Sequence, residues 1–247
     1  MFEINEIKNN ELDKLMQDLN DIMKLNHPSL LKFIGYSPTD FNKRSKPVIV
    51  TEYSLNGSLK NINDEIMNDT IKLIIIYGIA SGMSYLHSKN IIHRSLNIDN
   101  IYIDEFLTPK LGDYGLSTRF ENTTKITYES ISGFKAVPVY LSPEVLQYNQ
   151  YSKSSDVYSF AFVVYELMTN KIPFEEISNK NRLYEDIVKN NKRPIINENI
   201  PKPYINLIEK CWSQKQADRP TFDDIVLMLK NDSGFISDKI DKKLYHE

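Results

Sequence analysis

The sequence predicts an α+β fold with two lobes, a small mixed lobe followed by a larger and mainly helical one. Two observations predict it. Short stretches rich in β-branched and aromatic residues are concentrated near the start of the chain, and long apolar helical patterns fill most of the rest. The 247 residues, 41% of them hydrophobic, are also enough to bury a sizeable core.

The small lobe is predicted to contain one helix and a short sheet. Glu11–Leu25 carries apolar residues at helical spacing, and Asn26-His27-Pro28 ends the helix because the residue before a proline leaves the helical region. Leu30–Tyr36 and Pro47–Tyr53 have the composition of strands.

The larger lobe is predicted around two helices, Thr70–Lys89 and Ser155–Thr169, which are apolar on nearly all sides and should therefore be buried. Two short strands and three further helices are predicted at Asn100–Asp104, Thr108–Leu111, Leu183–Asn190, Pro203–Trp212 and Phe222–Leu229. Ser117–Lys135 has little periodicity and reads as a long loop. We expect the charged tail from about Asn231 to be frayed.

Composition excludes several classes of protein. Thirty basic and 33 acidic residues leave a net charge of −3, which gives no reason to expect binding to nucleic acid or to a membrane surface. The single cysteine, Cys211, excludes an internal disulfide framework and a cysteine-cluster metal site, and it favours a cytoplasmic location. The most apolar stretches, Leu73–Ala80 and Phe160–Leu167, are too short to cross a bilayer.

Five short motifs in a fixed order carry the functional signal. They are His93-Arg94-Ser95-Leu96 with Asn100, Asp113-Tyr114-Gly115, Ser142-Pro143-Glu144, Asp156-Val157-Tyr158-Ser159-Phe160, and Cys211-Trp212 with Arg219-Pro220. The first resembles the protein-kinase catalytic loop H-R-D-L-x-x-x-N at all fixed positions but one, and the second resembles D-F-G. Together the motifs resemble the protein-kinase superfamily, in its tyrosine-kinase-like branch.

The resemblance implies a site for ATP and Mg²⁺, with lobes at 1–53 and 54–247. Asn100 and Asp113 match the metal ligands of the family, and His93 and Arg94 match the start of its catalytic loop. Ser95, however, stands where the family has its catalytic aspartate, and a neutral hydroxyl is a poor proton acceptor at pH 7. Asp99 is a second candidate for the missing carboxylate, although it lies four residues after position 95.

The N-terminal side departs further from the family. Phe2–Asn5 matches the family's third strand, with Asn5 at the position of its lysine, and Asp18 falls where the glutamate partner of that lysine stands. Glu52, Tyr53 and Tyr102 match positions around the adenine pocket. The first glycine is Gly35, so we expect a reduced lobe of about three strands and one helix, without a glycine-rich loop, and a weak or absent site for ATP and Mg²⁺. On these grounds the sequence resembles an N-terminally truncated pseudokinase.

The resemblance also implies structural roles. Glu144 and Arg219 match a buried ion pair of the family. Four residues match an internal packed column: His93, Tyr114, Ile22 and Phe33. Arg94 matches the arginine that receives a phosphorylated residue, for which the candidates are Thr123, Thr124, Thr127 and Tyr128.

Three functions remain open from the sequence. The first is a pseudokinase that acts by binding another protein, with phosphotransfer lost or very weak. The second is an active or weakly active Ser/Thr or dual-specificity kinase that uses ATP and Mg²⁺, if the missing strands are supplied elsewhere. The third is a helical interaction module that only descends from kinases.

Overall fold

The computed structural model describes residues 22–37, 39, 41–43, 48–114, 138–177, 179–196, 199–236 and 240–241. Across these residues the fold is α+β, with few strands in the N-terminal lobe and a mostly helical C-terminal lobe, as predicted. The predicted strand at Asn5, the helix position Asp18 and the loop Ser117–Lys135 lie outside the described residues.

The N-terminal lobe contains one antiparallel pair, β1 (Phe33–Ser37) and β2 (Val48–Thr51), with an irregularity in register between Phe33 and Gly35. Both strands are shorter than predicted. β1 begins late because the residues before it pair with the other lobe: the Leu31 N–H donates to the Leu111 carbonyl, and the Leu111 N–H donates to the Ser29 carbonyl, both at 2.8 Å.

The C-terminal lobe contains a second two-stranded sheet and six α-helices among the described residues. These elements are α1 (Asp69–Ser88), β3 (Ile101–Ile103), β4 (Pro109–Leu111), α2 (Pro143–Tyr148), α3 (Lys153–Thr169), α4 (Lys180–Tyr184), α5 (Lys202–Cys211) and α6 (Phe222–Asn231). β3 and β4 pair antiparallel, with Ile101 opposite Leu111.

The core is centred on α1 and α3, as their apolar sequences predict. α1 packs on α6 and α3 packs on α5, so that both central helices bury most of their surface. Phe222 on α6 contacts both central helices. Its ring centroid lies 5.3 Å from that of Phe160 on α3 and 5.1 Å from that of His87 on α1. Of the helices in the described part of the chain, none has the length and apolar character required to cross a bilayer.

Two helical details differ from the sequence prediction. The predicted single helix Leu183–Asn190 is α4 followed by a π-helix at Glu185–Lys189, within which Ile187 is fully buried. The short helix α2 was not predicted, although Pro143 at its first turn is a common helix-start signal.

The prediction of a frayed tail is wrong for residues 233–236 and 240–241. A 3₁₀ turn at Ser233–Phe235 places the Phe235 ring edge-on against Tyr204 at 5.0 Å, and Ile240 is also buried. The Asp241 N–H donates to Thr70 Oγ1 at 2.9 Å, at the start of α1. Two apolar side chains within a charged segment therefore hold this part of the tail on the core.

Candidate functional site

The loop that carries His93, Arg94 and Ser95 is anchored on α3 by Asp156. This carboxylate, 1% exposed, accepts hydrogen bonds from the backbone N–H groups of His93 and Arg94, both at 2.8 Å, and lies 2.9 Å from His87 Nε2. A buried carboxylate is stable only when such donors compensate its lost hydration. The carboxylate thereby fixes the backbone of the loop at its entry.

Two non-glycine residues of the site adopt left-handed backbone conformations. Arg94 has φ 68° and Asp113 has φ 56°. Such conformations cost energy for residues with a side chain, and they are concentrated at functional sites where the surroundings hold them in place. For Arg94, the bond from its N–H to Asp156 supplies that restraint.

Ser95 lies inside a network of short-range hydrogen bonds. Its carbonyl accepts from the side-chain amides of Asn100 at 2.8 Å and Asn97 at 3.0 Å. Asn97 Oδ1 in turn accepts from the backbone N–H of Asp99 at 2.8 Å and of Asn100 at 3.2 Å. The loop is therefore closed on itself, and Ser95 Oγ points to His93 Nδ1 at 3.4 Å, which is long for a hydrogen bond.

His93 lies wholly in the interior. It has no exposed surface, and burial lowers its pKa, although the nearby charges of Asp156 and Asp113 act in the opposite direction. The Arg94 guanidinium lies over the Tyr151 ring, 5.1 Å from its centroid. The four candidate phosphorylation positions near residues 123–128 lie outside the described residues.

Asn100 and Asp113 are brought to one place by the second sheet. The Gly112 N–H donates to the Asn100 carbonyl at 2.9 Å, so the residue before Asp113 is tied to Asn100 directly. Burial raises the pKa of the Asp113 carboxyl, and the neighbouring His93 partly offsets this rise. The described part of the chain has no cluster of three or more His, Cys, Asp or Glu side chains that could hold a metal ion. Among the described residues, a metal ion at this place would therefore have two side chains as ligands, those of Asn100 and Asp113.

Tyr114 links this site to the N-terminal lobe. Its hydroxyl donates to the Leu31 carbonyl at 2.8 Å, a bond that sequence reasoning missed, and burial raises the pKa of Tyr114 to about 12. Tyr114, Ile22 and Phe33 are all buried in the same core cluster. A phenylalanine at position 114 would lack this hydrogen bond, so the tyrosine adds a specific tie between the lobes.

Tyr102 lies against the backbone that leads into Asp113. A Cβ atom added at Gly112 would lie 2.5 Å from the Tyr102 ring, so this close approach requires glycine. The tyrosine is half-buried, and its pKa is raised by burial and by the charges of Asp113 and Asp99. Its ring therefore occupies space beside the Asp113 backbone.

The other positions matched to a nucleotide pocket are less enclosed. The Tyr53 side chain is 84% exposed, so it forms no wall of a closed pocket. Glu52 Oε1 accepts from the Lys32 N–H at 3.0 Å and lies 4.0 Å from Lys110 Nζ. Asn5 and Asp18, matched to the family's lysine and glutamate, lie outside the described residues.

The predicted ion pair between Glu144 and Arg219 is confirmed. Arg219 Nη1 and Nη2 donate to the two carboxylate oxygens of Glu144 at 2.7 and 2.9 Å. Sequence reasoning missed the second arginine of this cluster: Arg193 and Arg219 both lie over the Tyr158 ring, 5.2 and 5.0 Å from its centroid.

Comparison with known proteins agrees with this geometry. Residues 3–229 match the family model described as protein tyrosine and serine/threonine kinase. Among the similar proteins are three kinases from Dictyostelium discoideum. "Probable serine/threonine-protein kinase drkC" is 33% identical over 92% of this chain, "Dual specificity protein kinase pyk3" is 33% identical over 88%, and "Dual specificity protein kinase shkC" is 29% identical over 88%.

The chain spans less than half the length of these relatives: 30% of drkC, 16% of pyk3 and 43% of shkC. The similarity therefore concerns a part of each relative. Because the family model covers most of the chain, from residue 3 to residue 229, the chain belongs to the protein tyrosine and serine/threonine kinase family.

Proposed function

We propose that this protein is a pseudokinase of the tyrosine-kinase-like branch, which acts by binding another protein and has lost phosphotransfer or retains very little. The observation that carries the proposal is Ser95 at the position of the family's catalytic aspartate. Phosphoryl transfer in this family uses that carboxylate to accept the proton of the substrate hydroxyl.

Ser95 and its neighbours offer no substitute for the missing base. A hydroxyl does not accept a proton readily at neutral pH. His93 is adjacent, but it is completely buried and cannot reach a substrate. Asp99 is a carboxylate of the same loop, but it lies 3.0 Å from Lys60 Nζ. This exposed ion pair supports a structural role for Asp99 at the surface of the loop. It does not support Asp99 as a replacement for the family's catalytic aspartate.

The residues matched to metal binding fit Mg²⁺. Asn100 and Asp113 provide an amide and a carboxylate oxygen, which are the hard donors that Mg²⁺ prefers. The Asn100 amide nitrogen is already bonded to the Ser95 carbonyl, so its oxygen is the atom left for a ligand. When bound, the ion would neutralise phosphate charge. Tyr102, packed on Gly112, narrows the space for a nucleotide beside it.

Asn100 and Asp113 also support the second candidate, a weakly active Ser/Thr or dual-specificity kinase. Two of the relatives are named dual-specificity kinases. In the second candidate, Asn100 and Asp113 remain ligands of Mg²⁺. A group other than Ser95 must then accept the proton of the substrate hydroxyl.

Transfer of radiolabelled phosphate from Mg²⁺-ATP separates the two candidates. The wild type is assayed on a generic protein substrate and on itself, with Asp113→Ala as the blank. We expect no transfer above the blank, and robust transfer that is lost in Asp113→Ala would overturn the pseudokinase proposal. A thermal-shift assay with Mg²⁺-ATP should show far less than the ~2.7 kcal/mol that a ligand gives at 100 times its dissociation constant.

The proposal also covers the boundary between the two lobes and the cellular location of the protein. We propose lobes at residues 1–53 and 54–247, which agrees with the small β1–β2 sheet and the helical core around α1 and α3. We also propose a cytoplasmic location, supported by the single, buried and unpaired thiol of Cys211.

A further inference from the structure

The linking segment, residues 54–58, follows β2 and carries the one Asn-Gly pair of the sequence, Asn56-Gly57. Asn56 is exposed, and Gly57 has a left-handed backbone with φ 69°, which glycine adopts freely. Because glycine has no side chain to obstruct the approach, its backbone nitrogen can reach the side-chain carbon of a preceding asparagine. Asparagine is a chemically labile residue in proteins. The sequence therefore places a reactive pair in this segment.

Backbone hydrogen bonds to β3 hold the linking segment on both sides of this pair. The Asn56 N–H donates to the Ile103 carbonyl at 3.3 Å, and the Ile103 N–H donates to the Gly57 carbonyl at 2.9 Å. The buried Ser54 side chain adds a third bond, from its Oγ to the same Ile103 carbonyl at 2.5 Å. These three bonds fix the backbone that passes through the reactive pair.

Two further hydrogen bonds engage the reacting atoms themselves. The Gly57 N–H donates to the Ser54 carbonyl at 3.1 Å, so the nitrogen that would act as the nucleophile retains its proton. The Asn56 side-chain amide donates from Nδ2 to the Asp104 carbonyl at 2.6 Å. Both bonds must break before the Gly57 nitrogen can reach Asn56 Cγ. The folded segment thus restrains a reaction that its sequence favours.

We propose that Asn56 is a site of spontaneous deamidation, and that its rate is set by opening of the linking segment away from β3. The Gly57 nitrogen attacks Asn56 Cγ, its proton is transferred to the side-chain nitrogen, and ammonia leaves as a succinimide ring closes. Water then adds to either carbonyl of the ring and opens it to aspartate or to isoaspartate. Water is the only other reactant consumed.

The products do not fit the bonds of the folded segment. A carboxylate at position 56 has no hydrogen to donate to the Asp104 carbonyl and places two acceptors against each other. Isoaspartate also adds one carbon to the backbone between the two bonds to Ile103, so both bonds cannot keep their register. Deamidation should therefore loosen the attachment of the linking segment to β3.

The test compares the whole chain in buffer and in guanidinium chloride, both at mildly alkaline pH. Peptide mapping by mass spectrometry locates the asparagines that gain about one dalton, and ion-exchange chromatography follows the added negative charge. We expect Asn56 to be the first asparagine converted in the unfolded chain. In the folded chain the same conversion should be roughly tenfold or more slower, because it requires local opening.

Variants localise the reaction and its restraint. Asn56→Gln should abolish the conversion at this position, since a glutamine must close a larger ring. Ser54→Ala removes the bond to Ile103 and should accelerate conversion several-fold in the folded chain, while leaving the rate in guanidinium chloride unchanged. Ser233→Ala, at an exposed position, is the matched control and should alter neither rate.

Asn56→Asp imitates one product. It should lower the melting temperature by roughly 2–4 °C, because the bond to the Asp104 carbonyl is lost. Asn206→Asp adds the same charge at an exposed position on α5 and should change the melting temperature little.

Equal rates at Asn56 in the folded and unfolded chain would overturn the inference, and so would an unchanged folded-state rate in Ser54→Ala. Earlier conversion of another asparagine in guanidinium chloride would also overturn it. If Ser54→Ala melts early, the wild-type rate at Asn56 is measured at rising guanidinium concentration below the unfolding transition. That rate should rise with concentration, and a constant rate would contradict control by local opening.

Discussion

Arg219 binds the Glu144 carboxylate through two hydrogen bonds of 2.7 and 2.9 Å, although 75 residues separate the two in sequence. Both side chains are buried, and Arg219 also donates to the carbonyls of Ser213 at 2.8 Å and Ser154 at 3.0 Å. One guanidinium thus connects α2, the start of α3 and the segment before α6.

Arg219→Ala should destabilise the protein strongly. The change leaves the Glu144 carboxylate buried without its partner, which costs about 3–5 kcal/mol and lowers the melting temperature by roughly 6–20 °C for a domain of this size. Thermal unfolding followed by circular dichroism measures the shift. Arg182→Ala, an exposed arginine 4.0 Å from Asp186, is the control and should change little. An unaltered melting curve for Arg219→Ala would show that the pair does not stabilise the fold.

Tyr114→Phe should cost about 1–3 kcal/mol of unfolding free energy. The change removes the hydroxyl that donates to the buried Leu31 carbonyl at 2.8 Å and leaves that carbonyl unsatisfied. Urea unfolding measures the loss, and Tyr148→Phe at an exposed position is the matched control. Equal stability of both variants would mean that water replaces the hydroxyl at no cost.

Gly112→Ala should destabilise by about 1–3 kcal/mol through overpacking, because the added Cβ would lie 2.5 Å from the Tyr102 ring. Tyr102→Ala in the same chain should recover part of this loss, and a double-mutant cycle measures the coupling. Gly35→Ala, where no atom lies within 4 Å of the added Cβ, is the control. If the stability changes of Gly112→Ala and Tyr102→Ala simply add in the double variant, the contact between these two residues is contradicted.

Stability should fall as pH rises from about 4.5 to about 7 because of Glu166. In this window the folded protein retains a proton that the unfolded chain releases, since burial raises the folded pKa to about 7 from an ordinary value of 4.5. Glu166→Gln should therefore raise the melting temperature at pH 8 and change it little at pH 4. Glu209→Gln, at an exposed position on α5, should show no such difference, and a pH-independent effect of Glu166→Gln would contradict the assignment.

Ser95→Asp should not produce a working kinase. A restored base contributes about 10²–10⁴-fold, but positioning and charge stabilisation supply most of phosphoryl-transfer catalysis. Our proposal places the uncharged Asn5 where the family has its lysine, and Tyr102 beside the nucleotide space. Restoring one member of a cooperating set recovers little.

Radiolabel transfer by wild type, Ser95→Asp and Asp113→Ala checks this expectation under identical conditions. Robust transfer by Ser95→Asp that exceeds the Asp113→Ala blank would show that the serine is the single defect, and that the phosphates are held by groups we have not identified.

The sequence by itself determined the fold class, the two central helices and the Glu144–Arg219 pair. The helices follow from local apolar patterns, which act within one segment. The ion pair followed from the resemblance, because motifs in a fixed order place their residues in a known framework. The apolar patterns placed the ends of both central helices within two residues of those in the structure, Asp69–Ser88 and Lys153–Thr169.

Only the tertiary structure decided the relationships between distant segments. The bond of Tyr114 to Leu31 spans 83 residues, and the anchoring of His93 by Asp156 spans 63. The raised pKa of Glu166 and the packing of Phe235 on Tyr204 likewise depend on which surfaces meet. No local pattern specifies such contacts, because a hydrogen bond or a buried charge gains its energy from groups that the chain brings together only after folding.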